Sequence, residues 1–137
     1  MRLPAARLML ATLTVLGILC GCSQDNARLP DGLGTFLDEL KANGVDGSVY
    51  LRAPFGEDME YVAEYTIARY ASTRVITLFR FRDEAGAATG LQQALQNDKL
   101  SGQAVNGLFV MAATFYPPDP AAVEKIRALF LAHRFGQ

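Results

Sequence analysis

From Leu33 onward, the chain alternates between two hydrophobic periods, and the changes of period mark its elements. Leu33, Phe36, Leu37 and Leu40 fall at i, i+3, i+4 and i+7, one face of a helix that starts near Asp31 and stops at Asn43-Gly44. Ser48 to Arg52 is β-prone and ends at Ala53-Pro54, because proline cannot donate to a ladder. From Tyr61 to Tyr70 the apolar residues alternate as in a strand, while Asp58 could equally cap a helix carrying Tyr61, Tyr65 and Ala68; the tyrosines, threonine and isoleucine favour the strand. Arg74 to Arg82 reads as a strand with Val75, Thr77, Phe79 and Phe81 turned to the core and Arg74, Ile76, Leu78, Arg80 and Arg82 on a mixed face.

The second half repeats the alternation. Asp83 caps a helix from Glu84 to Gln96 whose inner side is small, formed by Ala85, Ala88, Leu91, Ala94 and Leu95, so that it can lie close against a sheet. Gly86 and Gly90 each cost this helix about 1 kcal/mol relative to alanine. A polar loop from Asn97 to Gly102 leads to Val105–Phe115, apolar on both faces as a central strand is, although Asn106-Gly107 could be a tight turn that delays the strand to Leu108. Pro117-Pro118 ends it; Asp119 caps a last helix with Pro120 in its first turn, Val123, Ile126 and Phe130 on one face and Gly136 beyond its end. The expected fold is α+β, a four-stranded mostly antiparallel sheet with helices packed on it, in the order α-β-β-β-α-β-α.

Ahead of this domain lies a different pattern. Arg2 and Arg7 precede an uncharged apolar run from Leu8 to Cys20, followed by small Gly21, which is the build of a secretory signal. A helix of about thirteen residues rises roughly 20 Å, short of the ~30 Å hydrocarbon core of a bilayer. Leu19-Cys20-Gly21-Cys22 resembles the lipobox of bacterial lipoproteins, with Leu19 at −3 and Cys22 at +1; Cys20 is the poorer acceptor because Leu19 would then stand at −1. The resemblance implies cleavage after Gly21 and acylation of Cys22, so that residues 1–21 are signal peptide, 22–30 the lipidated cysteine and a flexible tether, and 31–137 one domain. Ser23 after the cysteine is similar to lipoproteins sent to the outer membrane, which is favoured over the inner membrane for this periplasm-facing chain.

Composition narrows the function. Without Arg2 and Arg7, eleven basic residues face fourteen acidic ones, a net charge of −3, and nucleic acid is not an expected partner. Both cysteines are consumed by the signal and the lipid, which removes disulfide, thiolate-metal and thiol chemistry. A lone histidine, His133, makes no metal site, and the acidic group Glu57, Asp58, Glu60 and Glu64 lacks the spacing of a calcium loop. No catalytic residue, metal or cofactor is therefore expected. Tyr61, Tyr65, Arg69, Arg74, Arg80 and Arg82 stand on one predicted hairpin and form the candidate partner-binding face, since tyrosine and arginine suit interfaces. The expected role is a non-enzymatic accessory domain, anchored to the membrane through Cys22, that binds another envelope protein. The alternative is a module for a small molecule or a cell-wall glycan.

Overall fold

A computed structural model describes residues 28–67 and 72–136. Its elements run α1 (Leu33–Ala42), β1 (Gly47–Arg52), β2 (Met59–Ile67), β3 (Thr73–Phe81), α2 (Glu84–Leu95), β4 (Ser101–Asn106), β5 (Phe109–Tyr116) and α3 (Pro120–Ala132). The fold is α+β, as expected, but the sheet has five strands, in the order β1-β2-β3-β5-β4, with every neighbouring pair antiparallel. The additional strand is β4. Sequence divides its residues between the polar loop Asn97–Gly102 and the expected strand Val105–Phe115, which the turn at Gly107-Leu108 splits into β4 and β5; β4 is an edge strand with one fully buried side chain, Ala104. Gly107, at φ 58°, opens the two-residue turn from β4 to β5 and takes the positive angle that the twist-matching hairpin turns require.

The helix boundaries have local causes. At the end of α1, Gly44 adopts φ 83°, its N–H donates to Lys41 O (3.0 Å) and the Val45 N–H donates to Leu40 O (2.8 Å), a Schellman closure. Asp83 and Asp119 cap α2 and α3 by accepting from the Gly86 N–H (2.7 Å) and the Ala122 N–H (3.2 Å). Asp31 does not cap α1: Gly32 holds the cap position, and the Asp31 carboxylate is used elsewhere.

Two layers of core lie on the two faces of the sheet. On one face α1 and α3 cover Val49, Ala63, Tyr65, Ile76, Leu78, Ala104, Phe109, Met111 and Ala113 with Leu33, Phe36, Leu37, Leu40, Val123, Ile126 and Phe130. Each such Leu or Phe, fully buried, contributes about 1.5–3 kcal/mol. On the other face α2 lies over β3, β4 and β5 and buries Phe81 and Val110 with Ala87 and Ala94, with Leu91 packed alongside. β5 is internal and apolar on both faces, as its sequence requires.

Two expected orientations are corrected here. Along β3 the row that enters the larger core is Ile76 and Leu78, bracketed by Arg74 and Arg80, and of the row Val75, Thr77, Phe79 and Phe81 only Phe81 is fully covered. Pattern alone favoured the second row because it carries no charge. The two arginines are accommodated by ion pairs that sequence does not display. In α2 the inner side is Ala87, Leu91 and Ala94, not Ala85, Ala88 and Leu95, and Leu95 is 53% exposed. The helix is rotated so that its glycines meet the sheet. A Cβ on Gly90 would stand 2.2 Å from Cζ of the buried Phe81 ring.

Gly90→Ala therefore has opposite effects on helix and packing. Alanine would add about 1 kcal/mol of helix propensity, yet its Cβ would press on the buried Phe81 ring at three atoms within 3.0 Å, and overpacking of this kind costs about 1–3 kcal/mol. The expected result is a lower urea midpoint for the variant. An unchanged or higher midpoint would show that α2 lies less closely on Phe81.

Candidate functional site

Arg74 and Arg80 stand six residues apart on β3 and point to the same face, one at each end of the Ile76–Leu78 core row. Their register partners on β5 are Phe115 and Phe109, and each guanidinium lies over its partner's ring, at 5.1 Å for Arg74 and 5.5 Å for Arg80. Each also meets an aspartate at the beginning of a helix. Arg74 Nη2 donates to Asp119 Oδ2 (2.9 Å), the N-cap residue of α3. Arg80 Nη2 donates to Asp31 Oδ1 (3.4 Å), and its Nε lies 3.2 Å from Asp31 Oδ2, out of hydrogen-bonding alignment. Arg80 Nη1 donates to Phe81 O. The arginine side chains are only 18% and 12% exposed, while their aspartate partners Asp119 and Asp31 keep 35% and 30% exposure, so each pair is half-buried.

The tyrosines of the same hairpin also serve the interior. Tyr61 donates to Asp31 Oδ2 (3.0 Å) and sets its ring edge against Phe109. Tyr65 is buried and donates to Val45 O (2.8 Å), fastening the segment after α1 to β2. Burial, reinforced by the hydrogen bond to Asp31 and its charge, pushes the Tyr61 phenol well above the usual tyrosine range; burial, with the charge of Asp46 adding, pushes Tyr65 up to about 12. Of the candidate binding residues, then, Tyr61, Tyr65, Arg74 and Arg80 are engaged within the domain. Arg82 is exposed, with Nε donating to Glu57 O (2.9 Å), and Arg69 lies outside the described residues, as does Cys22.

His133 is a structural joint between α1 and the end of α3. Its Nδ1 is 3.0 Å from Glu39 Oε2 and its Nε2 is 3.2 Å from Gly32 O, so both nitrogens face oxygen acceptors. Asn106 Nδ2 donates to Phe130 O and His133 O (2.7 Å each), tying the β4–β5 turn to the C-terminus of α3. Beside this joint Asp31, Arg80, Asn106, Phe109, His133 and Phe135 line an open cleft of about 310 Å³. Among the described residues no three His, Cys, Asp or Glu side chains converge where a metal ion would sit.

The exposed aromatic groups lie elsewhere. α2 lies over β3, β4 and β5, and beyond it Tyr50 and Arg52 of β1 project beside Glu64 and Thr66, while Val62 on the same face is buried. Tyr50 is 63% exposed, Arg52 stands over its ring at 5.9 Å, and Arg52 Nε pairs with Glu64 at 3.1 Å. Strand alternation sets Tyr116, at the end of β5 and 74% exposed, on this same face. Sequence reading passed over Tyr116 because its neighbours Phe115 and Pro117 read only as a strand end. The alternation Phe109, Met111, Ala113, Phe115 against Val110, Ala112, Thr114, Tyr116 is the signal that places it. Comparison of the chain with protein-family models, with curated proteins and with solved structures finds no match.

The two inward phenols give a pH dependence of definite sign. A phenol whose pKa is raised in the folded state, against about 10 when unfolded, contributes stability that is present below pH 10 and lost as pH rises toward and beyond the folded value. Urea midpoints measured from pH 9 to 12 should fall above pH 10, and less steeply for Tyr65→Phe than for the unaltered protein. Parallel curves would mean that Tyr65 ionises as readily in the folded domain as in the open chain.

Proposed function

We propose that the chain is a lipid-anchored lipoprotein of the bacterial envelope, a non-enzymatic accessory domain that binds another envelope protein. The anchor reading rests on Leu19-Cys20-Gly21-Cys22 and the charged and apolar segments before it. Among the described residues no helix is long and apolar enough to cross a membrane, and acyl chains on Cys22 would supply the attachment, since two or more chains hold stably where one does not. Ser23 supports the outer membrane as the destination.

The single observation that carries the partner-binding reading is the open sheet face with Tyr50 and Tyr116. Large exposed aromatics on a rigid sheet, set among Arg52, Glu64 and threonines, have the composition of a protein interface: aromatic and arginine anchors within a polar surround. This moves the proposed surface from the inward side of the β2–β3 hairpin to the opposite face of the sheet, with its aromatic anchors on β1 and β5. Small-molecule or glycan binding has one observation in its favour, the cleft at Asp31 and Arg80, whose size is at the lower end for ligand pockets. Its Arg80 is already paired with Asp31, which leaves the exposed Arg134 at the rim as the cation a ligand would meet.

Two measurements test the reading. Cys22→Ala should move the protein from the membrane to the soluble fraction of fractionated cells, and unchanged membrane retention would refute the lipobox. A photo-crosslinking residue at Tyr50 or Tyr116 of the anchored protein should capture a discrete envelope protein that the same residue at Leu131, on exposed α3, does not; equal capture from all three positions would remove the sheet face as the interface.

A further inference from the structure

One end of the domain gathers several chain segments. Arg80 reaches Asp31 at the start of α1; the Gly136 N–H donates to Asp31 O (2.8 Å), the Arg82 N–H to Asp58 O (2.8 Å) and the Phe81 N–H to Leu108 O (2.8 Å). The start of α1, the β1–β2 loop, the end of β3, the β4–β5 turn and the C-terminal segment therefore share this end. Tyr116 and the start of β3 lie at the other, a nine-residue strand away, which at ~3.3 Å per residue is about 30 Å.

The chain enters the domain at this same end, and it enters sooner than its sequence suggests. Leu29 already packs against the main core, so the tether stops before it. Six residues, 23–28, separate Cys22 from Leu29. A chain of that length spans no more than about 25 Å even at full extension, less than the length of β3. The entry end is thus the end that an anchor on Cys22 would hold against the bilayer.

The β1–β2 loop at this end carries Phe55, which is 67% exposed between Pro54 and Gly56. No core residue needs it there. The charges of this end are mixed, with Arg28, Arg82 and Arg134 against Glu57, Asp58, Glu60, Asp83 and Glu84, an acidic excess. Such a surface is not drawn to anionic lipid by its charge, so what it offers a bilayer is the aromatic ring. Phenylalanine on a membrane-facing surface buries its ring at the boundary between headgroups and acyl chains.

We propose that Phe55 seats in the interfacial layer of the bilayer that holds the Cys22 lipid, fixing the domain upright with Tyr116 away from the membrane. This rests on the anchor reading above. The lipid supplies attachment and the Phe55 loop supplies orientation, so the contact should not depend on salt or on anionic lipid.

The chain has no tryptophan, which makes the test direct. Full-length lipidated protein carrying Phe55→Trp or Tyr116→Trp is reconstituted into vesicles of phosphatidylcholine and phosphatidylethanolamine with brominated acyl chains. The expected result is emission from Phe55→Trp that is blue-shifted and quenched at least twofold, at low and high salt alike, with Tyr116→Trp unquenched. Vesicles that float with bound protein but leave Phe55→Trp unquenched, or quench both variants equally, would overturn the proposal and leave the anchor standing. Protein that fails to float with the vesicles would overturn the anchor, and the orientation with it.

Discussion

The structure depends on how two arginines are held inside the sheet. A strand with the sequence Arg-Val-Ile-Thr-Leu-Phe-Arg-Phe can bury either of its faces, and hydrophobic count alone selects the uncharged one. The fold selects the other because Arg74 and Arg80 bracket Ile76 and Leu78 and each finds the same two partners: a phenylalanine face on β5 and an aspartate that begins a helix. Burying a guanidinium without a partner is costly, and a close carboxylate with a π-face offsets that cost while fixing geometry. The effect is to clamp the start of α1 to one end of β3 and the start of α3 to the other. Both helices of the larger core are thereby registered against a single central strand.

That arrangement governs where function can lie. Because Arg74, Arg80, Tyr61 and Tyr65 are spent within the domain, the face beneath α1 and α3 is closed, and the open surface is on the opposite side, where α2 lies over β3, β4 and β5. α2 can lie low there because Gly90 admits the Phe81 ring. The same topology brings the chain entry, the Phe55 loop and the C-terminal segment to one end and Tyr116 to the other. The proposed roles follow this division: lipid below, support for the helices within, and a protein partner on the uncovered strands.

Sequence carried the local elements well and the pairing of side chains poorly. The i, i+3, i+4, i+7 pattern of α1 and the Asp83 and Asp119 caps are each set by interactions within a few residues, and each stands in the structure where the pattern put it; the doubly apolar strand is internal as expected but begins at Phe109, not Val105. The partnership of Arg80 with Asp31 spans forty-nine positions and that of Arg74 with Asp119 forty-five, and no local period records either. For that reason β3 was expected to present its arginines outward, and Tyr61 and Tyr65 to accompany them. β4 was missed on a different ground. An edge strand that buries only Ala104 divides in sequence between the polar loop and the expected strand Val105–Phe115, and its pairing is dictated by β5 and not by its own residues.

The clamp at Arg80 is the claim on which the placement of every other surface turns. A double-mutant cycle of Asp31→Asn and Arg80→Met, followed by urea unfolding at neutral pH, measures it directly. The two side chains are 30% and 12% exposed, and residues in contact couple by about 0.5–3 kcal/mol. The account predicts a favourable coupling in that range, with each single variant clearly less stable than the parent. Additive effects close to zero, with Arg80→Met as stable as the parent, would contradict it and return Arg80 to the surface as a free recognition residue.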